Sequence, residues 1–562
     1  MKVIYGESNY KKVREDKELL YIDKTKYIEV LEEYKRSNLM FLRPRRFGKS
    51  LFISTLWYYY DERFKDEFET LFDDTYIGKN PTKLKNSYRV LFFEFSGIDI
   101  NNIDNTFRDF VSKIKTSLQI YLENYSYTQK EVDSLEKLSS PEELMNKFFQ
   151  IIKDDKIYLL IDEYDHFANG LLAHSINNFA KVLSRGGFVR TFYETIKTAT
   201  MTGVVQRVFI TGVTPITLDS LSSGFNIIDN ISTKYKFNEM VGFNLDEVKY
   251  SLENCLFNYC DSNKEKIYED VKDWYNGYLF NIKATTRIYN ATLVNYFISN
   301  FDKDICIYPS NMLDSNIASD YRTIMKLFYV GNREQNNEIL KTIIDTGEIV
   351  GFLKDRYDIE KEFAEDDFIT LLYSMGFITI KKSLFNKIVF QIPNYIIKHL
   401  YFNYFAKELE KRAKLQLKDR EMKSYLTDLA LGNYEEFNNK LLDVVSTLSN
   451  RDYMKFNEKH FHTIILTLLN FSDIYYIKSE AEIDNKYPDI ILKARNPYED
   501  EVKANYLLEL KWAKKGEMES KIKEGKKQVE GYLEFEEVKN IEKLKSFVVI
   551  GSIEEIRWVE VN

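Results

Sequence analysis

The chain has 562 residues, 44% hydrophobic and 30% charged, with a formal net charge of −8. That balance excludes a disordered polymer and leaves apolar material for several cores, about three or four domains on length alone. It also excludes a globally basic polyanion binder, so any nucleic-acid site must be a local patch.

The first residues, Met1 to Glu7, hold no apolar signal core, and no apolar run is long enough to span a bilayer. A cytoplasmic protein with no membrane partner is the expectation. Tyr21-Ile22-Asp23-Lys24-Thr25 precedes a helical pattern through Tyr27, Ile28, Val30 and Leu31, with Asp23 or Thr25 as its cap. Leu39 to Leu42 reads as a buried strand. Leu51, Phe52, Thr55, Leu56 and Tyr59 then fall at helical spacing.

Between that strand and helix lie Gly48, Lys49 and Ser50, where a nucleotide-binding loop belongs. Gly48 lets backbone approach a phosphate, Lys49 reaches the outer phosphates, and the Ser50 hydroxyl holds magnesium. Arg45 and Arg46 add cationic charge nearby. The first glycine of the usual pattern is replaced by Arg43, so the loop is expected to take a different path.

Tyr88 to Phe95 is a second strand, and 105–125 and 141–153 are amphipathic helices. Ile157-Tyr158-Leu159-Leu160-Ile161 is an apolar strand that ends in Asp162-Glu163-Tyr164-Asp165. Carboxylates at a strand tip suit phosphoryl chemistry: Asp162 to hold magnesium through water, Glu163 to orient or deprotonate the attacking water. The bland alternative is an acidic turn. A fourth strand, Val208 to Thr214, would bring Thr211 or Thr214 to the γ-phosphate. Strands separated by helical segments imply a parallel, helix-covered sheet.

From about 245 to 400 the pattern is mainly helical, and Asp273 to Tyr278 reads as an aromatic packing corner. The three cysteines, Cys255, Cys260 and Cys306, lack metal-ligand spacing and read as free thiols. Leu371 to Ile380 is helix, glycine stop, strand, and Ile388 to Ile392 can pair with that strand, which suggests a winged-helix-like lid. Residues 400–455 are charged and helical and read as a connector. His460 and His462 have too few ligands nearby for zinc.

The last hundred residues carry a second constellation. A helix through Phe461, Ile464, Ile465, Leu468 and Leu469 precedes two strands, Tyr487 to Leu492 and Tyr506 to Lys511, plausibly antiparallel across the turn at Asn496-Pro497. Period-two alternation puts Glu509 and Lys511 on one face, with Asp489 opposite. Two carboxylates and an ammonium would hold magnesium and stabilise charge on a phosphodiester. A half-buried strand pair with a surface salt bridge is the alternative. Lysines 514, 515, 521, 523, 526 and 527 follow, as a phosphate contact or a solvated face.

The string Arg43-Pro44-Arg45-Arg46-Phe47-Gly48-Lys49-Ser50 resembles the hallmark of the bacterial AAA-ATPase-like family, in which the missing first glycine is the rule. Tyr21 to Thr25, Ile161 to Asp165, Ile210 to Val213 and Trp274 to Tyr278 match further blocks of that family in order. Pro488-Asp489 and Glu509-Leu510-Lys511 resemble the signature of the PD-(D/E)XK nuclease superfamily, with Glu480 at the upstream acid and Gln528 at the glutamine of the following helix. One departure is Lys486-Tyr487-Pro488, where a Gly-Arg usually stands. The resemblance implies ATP and magnesium as cofactors, and metal-dependent cleavage of nucleic acid, DNA before RNA. It implies an α/β architecture: a P-loop NTPase parallel sheet over 1–245, a helical, winged-helix-like middle over 246–400, a connector over 401–455, and a restriction-endonuclease-like α/β domain over 456–562. Glu480 joins Asp489 and Glu509 as a metal ligand on this basis. Two functions follow: a nucleotide-regulated nuclease, or a non-enzymatic ATP switch or scaffold. A homo-oligomer is left open.

Overall fold

The computed structural model describes residues 1–174, 179, 181–182, 187–215, 227–257, 264–354, 363–413, 417–449, 456–479, 488–495 and 498–562. The chain divides into two compact units, one of 1–299 with 313–394 and the other of 300–312 with 395–562. The sequence-based boundaries at 245 and 455 fall inside these units.

The first unit opens with a short parallel pair, β1 (Lys2–Val3) and β2 (Leu19–Leu20). Its main sheet contains β3 (Asn38–Leu42), β4 (Arg89–Glu94), β5 (Ile157–Asp162), β6 (Val205–Gly212) and β7 (Asp229–Asn230), in the order β4-β5-β6-β3-β7. Every pairing is parallel, as the alternation of strands and helices requires. β5 is buried along its whole length, which is why it reads as an unbroken apolar run. Helix Lys49–Tyr60 packs on β5 and β6, and helix Ile103–Asn124 packs on β4. Helix Lys26–Glu33 begins after Thr25, but no side chain caps it. The Asp23 carboxylate instead accepts from the Thr25 and Tyr76 N–H groups, and the Thr25 hydroxyl accepts from Ile77 N–H. The expected cap is thus used to tie two segments together.

In the same unit helix Glu365–Met375 ends at Gly376 and runs into a hairpin, β9 (Thr379–Leu384) and β10 (Lys387–Gln391). A third strand, β8 (Glu348–Gly351), pairs with β10 and was not foreseen, because its four residues are too few to show a period.

The second unit is built on β11 (Tyr475–Ser479), β12 (Ile490–Ala494), β13 (Asn505–Trp512), β14 (Leu544–Gly551) and β15 (Ile556–Glu560), paired in that order. β12 and β13 are antiparallel, with Ile490 opposite Leu508, whereas β13 and β14 are parallel and joined through helix Met518–Leu533. Val529 and Tyr532 of that helix pack with Leu507 and Val548 in one core cluster. Part of the 400–455 stretch, read as a connector, packs onto this sheet at Leu429 and Tyr434. Tyr434 stacks on Trp558 at 4.9 Å, and the Tyr506 hydroxyl donates to Leu429 O at 2.7 Å.

Among the described residues no helix is long and apolar enough to cross a membrane. Cys255 is a buried free thiol, whereas Cys306 is disulfide-bonded, against the expectation of free thiols throughout.

Candidate functional site

The register of the main sheet assembles the first centre. Phe41 pairs with Thr211 and Leu42 with Gly212, while Ile161 pairs with Ile210. The tips of β3, β5 and β6 therefore converge, and the loop after β3 turns into helix Lys49–Tyr60 above them. Gly48 has φ +95° in this turn, and a Cβ there would point into open space with no atom within 4 Å. Gly48, Lys49, Ser50, Arg45, Arg46, Glu163 and His166 line a cavity of about 490 Å³.

Asp162 is buried at the tip of β5 and accepts hydrogen bonds from the Thr211 hydroxyl and from Glu163 N–H at 2.9 Å. Burial pushes its pKa up, while the hydroxyls of Thr211 and Ser50 and the charge of Lys49 pull it back. Glu163 sits at φ +50°, a costly conformation for a residue with a Cβ. Its carboxylate meets His166 Nδ1 at 2.7 Å. Burial would raise its pKa, but the His166 bond and charge, with Lys49 and Arg45, hold it near about 2. Lys49 Nζ donates to Arg43 O at 2.9 Å and Pro44 O at 3.0 Å, and burial lowers its pKa.

The residue in place of the first glycine is a structural fastener. Arg43 is 2% exposed. Its guanidinium donates to Leu42 O (2.9 Å), Ser232 O (2.6 Å) and Phe237 O (2.7 Å), between the rings of Phe41 and Phe280 at 4.3 and 3.9 Å. Other loop carbonyls are also taken. Asn290 Nδ2 donates to Arg45 O at 3.2 Å, the Thr292 hydroxyl to Arg46 O at 2.8 Å, and Gly242 N–H to Phe47 O at 2.8 Å. The loop is held from outside by backbone groups about 190 and side chains about 245 residues away in sequence.

Thr211 and Thr214, both considered as phosphate sensors, have different fates. Thr211 faces Asp162. Thr214 is fully buried and bonds Asp165 Oδ2 and Asn169 Oδ1, each at 2.7 Å. Asp165 also accepts from the N–H groups of Val213 and Thr214 at 3.0 and 2.6 Å, so it closes the β6 loop. A Cβ on Gly212 would lie 2.4 Å from Asp165 Oδ1, which is why that motif needs glycine. His166 and Asn169 were missed; their only sequence signal is helical spacing from Glu163 and Asp165.

The second centre lies on β13. Glu509 and Lys511 are 2% and 5% exposed and share a face, with Lys511 Nζ donating to Glu509 Oε1 at 2.7 Å. Asp489, just before β12, accepts from Leu510 N–H at 2.7 Å. The Glu509 carboxyl is pushed up to about 7, by burial first and then by Asp489, against the pull of Lys511 and Tyr532. Glu509 Oε2 and Gln528 Oε1 are buried with no hydrogen-bond partner among the described residues. Glu480 lies outside the described residues. Among those described, no cluster of three or more His, Cys, Asp or Glu is arranged to hold a metal. Sequence reasoning missed Tyr532, one helical turn after Gln528, and His462, whose Nε2 lies 3.4 Å from Asp489 O. Of the lysines that follow, Lys521 pairs with Glu524 at 2.8 Å on a largely solvated face.

Two segments of the chain match protein families. Residues 4–222 match a family described as predicted AAA-ATPase, and residues 456–560 match the PD-(D/E)XK nuclease superfamily. The chain is also 26% identical over 301 residues to an uncharacterized protein in the vnfD 5′ region of Azotobacter chroococcum mcd 1, a match that covers 52% of this chain and 51% of that protein. The chain thus spans about half the length of that relative. The N-terminal segment 4–222 is thus similar to the predicted AAA-ATPase family, and the C-terminal segment 456–560 is similar to the PD-(D/E)XK nuclease superfamily.

Proposed function

We propose that the protein binds magnesium–ATP in its first unit and cuts DNA phosphodiester bonds with its second, and that nucleotide state regulates cleavage. In the first unit Gly48 leaves room for phosphate beside the loop N–H groups, and Lys49 would trade the carbonyls of Arg43 and Pro44 for outer phosphate oxygens. Ser50 and Asp162 would hold the magnesium ion, with Thr211 fixing the Asp162 carboxylate. Glu163, held near about 2, is a poor proton acceptor, so its role is to orient the attacking water.

The observation that carries the nuclease reading is the buried Glu509 carboxylate beside Asp489: Lys511 holds Oε1 and the Tyr532 hydroxyl approaches the group, but among the described residues no hydrogen bond of full geometry reaches Oε2. A carboxylate oxygen left without a donor inside a protein is costly, and a divalent cation supplies the missing charge. Asp489 and Glu509 would hold it as hard oxygen ligands, with Glu480, outside the described residues, as the third acid that the resemblance implies. When bound, the ion supplies water activation and polarisation of the phosphodiester. Lys511 is held protonated: burial lowers its pKa, and Glu509 more than offsets that. It would stabilise charge on the phosphate rather than accept a proton.

The test is cleavage of supercoiled and linear DNA with magnesium or manganese, with and without ATP. Nicking that disappears in Asp489→Ala and Glu509→Ala supports the reading, and persistence in both variants removes it. A net charge of −8 favours the second reading, an ATP switch that binds a partner without cutting. ATP binding abolished by Lys49→Ala, with no cleavage by the wild type, would select it.

A further inference from the structure

The hairpin of the first unit ends in a two-residue turn, Phe385–Asn386, between the paired residues Leu384 and Lys387. Phe385 is 96% exposed and has φ +54°. Both features work against the fold. A bulky side chain at positive φ is a conformational outlier, and the first position of such a turn favours glycine. A fully exposed ring also keeps its apolar surface in water. Its neighbour Leu384 is 40% exposed, so the tip as a whole is apolar.

Lysines surround this tip. Lys381, Lys382 and Lys387 are all exposed. Lys381 is paired with Glu348, but neither Lys382 nor Lys387 forms an ion pair among the described residues. Lys387 Nζ lies 5.6 Å from the centroid of the Phe352 ring, an exposed contact that leaves its charge uncompensated by a carboxylate. An aromatic ring flanked by ammonium groups without carboxylate partners among the described residues matches a polymer with a stacked apolar interior and a phosphate exterior. Aromatic and aliphatic wedges enter base steps in this way, while lysines neutralise the adjacent phosphates.

We propose that this hairpin is a DNA-contacting element: Phe385 wedges against the base stack of duplex DNA, and Lys382 and Lys387 contact its backbone. The proposal rests on the DNA-cleavage reading and assigns that substrate a contact outside the nuclease centre.

The experiment is equilibrium binding of the full chain, in an Asp489→Asn background that prevents cutting, to a fluorescent duplex at several salt concentrations. Phe385→Ala is expected to weaken binding by about tenfold with little change in salt slope. Lys382→Ala with Lys387→Ala should reduce the slope by about two. Phe385→Gly should relieve the turn, raise the melting temperature and still weaken binding, which excludes misfolding as the cause. Phe385→Trp should be quenched by duplex DNA. Unchanged affinity in the Phe385 variants overturns the proposal. So does a Phe385-dependent association with anionic vesicles or with a second copy of the chain at unaltered DNA affinity. If the wild type cuts DNA while the hairpin variants bind normally, only the hairpin proposal falls; if the wild type neither binds nor cuts DNA, both readings fall.

Discussion

Lys511 donates to Oε1 of Glu509 at 2.7 Å, and among the described residues Oε2 of the same carboxylate is buried with no hydrogen bond of full geometry, the Tyr532 hydroxyl being its polar neighbour. One ammonium thus half-satisfies one carboxylate, with Asp489 adding a second negative charge. Two carboxyls facing one ammonium leave an excess of negative charge that a proton on Glu509 or, on the proposed reading, a divalent cation would offset.

Removing either member of the pair should give opposite signatures. Glu509→Gln removes the charge but keeps the shape, and manganese affinity measured by calorimetry should fall by at least about tenfold. Lys511→Met leaves a buried carboxylate with no cationic neighbour in the pair, and should cost about 3 kcal/mol in denaturant unfolding. Undiminished manganese binding by Glu509→Gln would remove that residue from the metal site.

Metal binding should depend steeply on pH. With the Glu509 carboxyl at about 7, a proton competes for the site below that pH. Manganese affinity should therefore rise from pH 6 to pH 8, with proton release detectable in buffers of different ionisation enthalpy. Metal-free stability should move the other way. A carboxyl raised in the fold binds more protons folded than unfolded between its ordinary pKa and about 7, so stability falls as pH rises through that window. A flat affinity profile over this range would contradict the assignment.

At the nucleotide centre, binding and turnover should separate. Lys49→Ala should weaken binding of a fluorescent ATP analogue by more than about tenfold, since the buried ammonium faces the cavity through the loop. Glu163→Gln should bind normally and release phosphate about a hundredfold more slowly. Equal loss of binding in both variants would mean that Glu163 supports the loop through His166 rather than the water.

Arg43→Gly makes the loop look more like the usual pattern and should harm it. The change strands three carbonyl oxygens and removes a guanidinium held between two rings. A loss of about 2–4 kcal/mol is expected, read as a lower melting temperature together with weaker ATP binding. Arg43→Lys should not restore it, because one ammonium cannot serve carbonyls that a planar fork reaches. A stable, ATP-binding Arg43→Gly protein would show the fastener to be dispensable.

The sequence by itself determined the parts whose physics is local. Apolar runs marked β3, β5 and β6, and the acids at the end of the β5 run marked Asp162 and Glu163, because a strand tip is where a buried run must meet water. Period two placed Glu509 and Lys511 on one face, which the 2.7 Å contact realises. Short strands such as β8, and the caps at Asp23 and Thr25, escaped because a few residues carry no period and a side chain can bond elsewhere.

Only the tertiary structure decided which partner each polar group takes. Arg43 looks like a defect in the chain and becomes a fastener because Ser232, Phe237 and Phe280 arrive beside it. Thr211 and Thr214 are equivalent hydroxyls in the sequence; packing sends one to Asp162 and the other to Asp165. The cause is the same in each case. Burial makes every polar atom require a partner, and the chain brings those partners from distances at which sequence spacing carries no information.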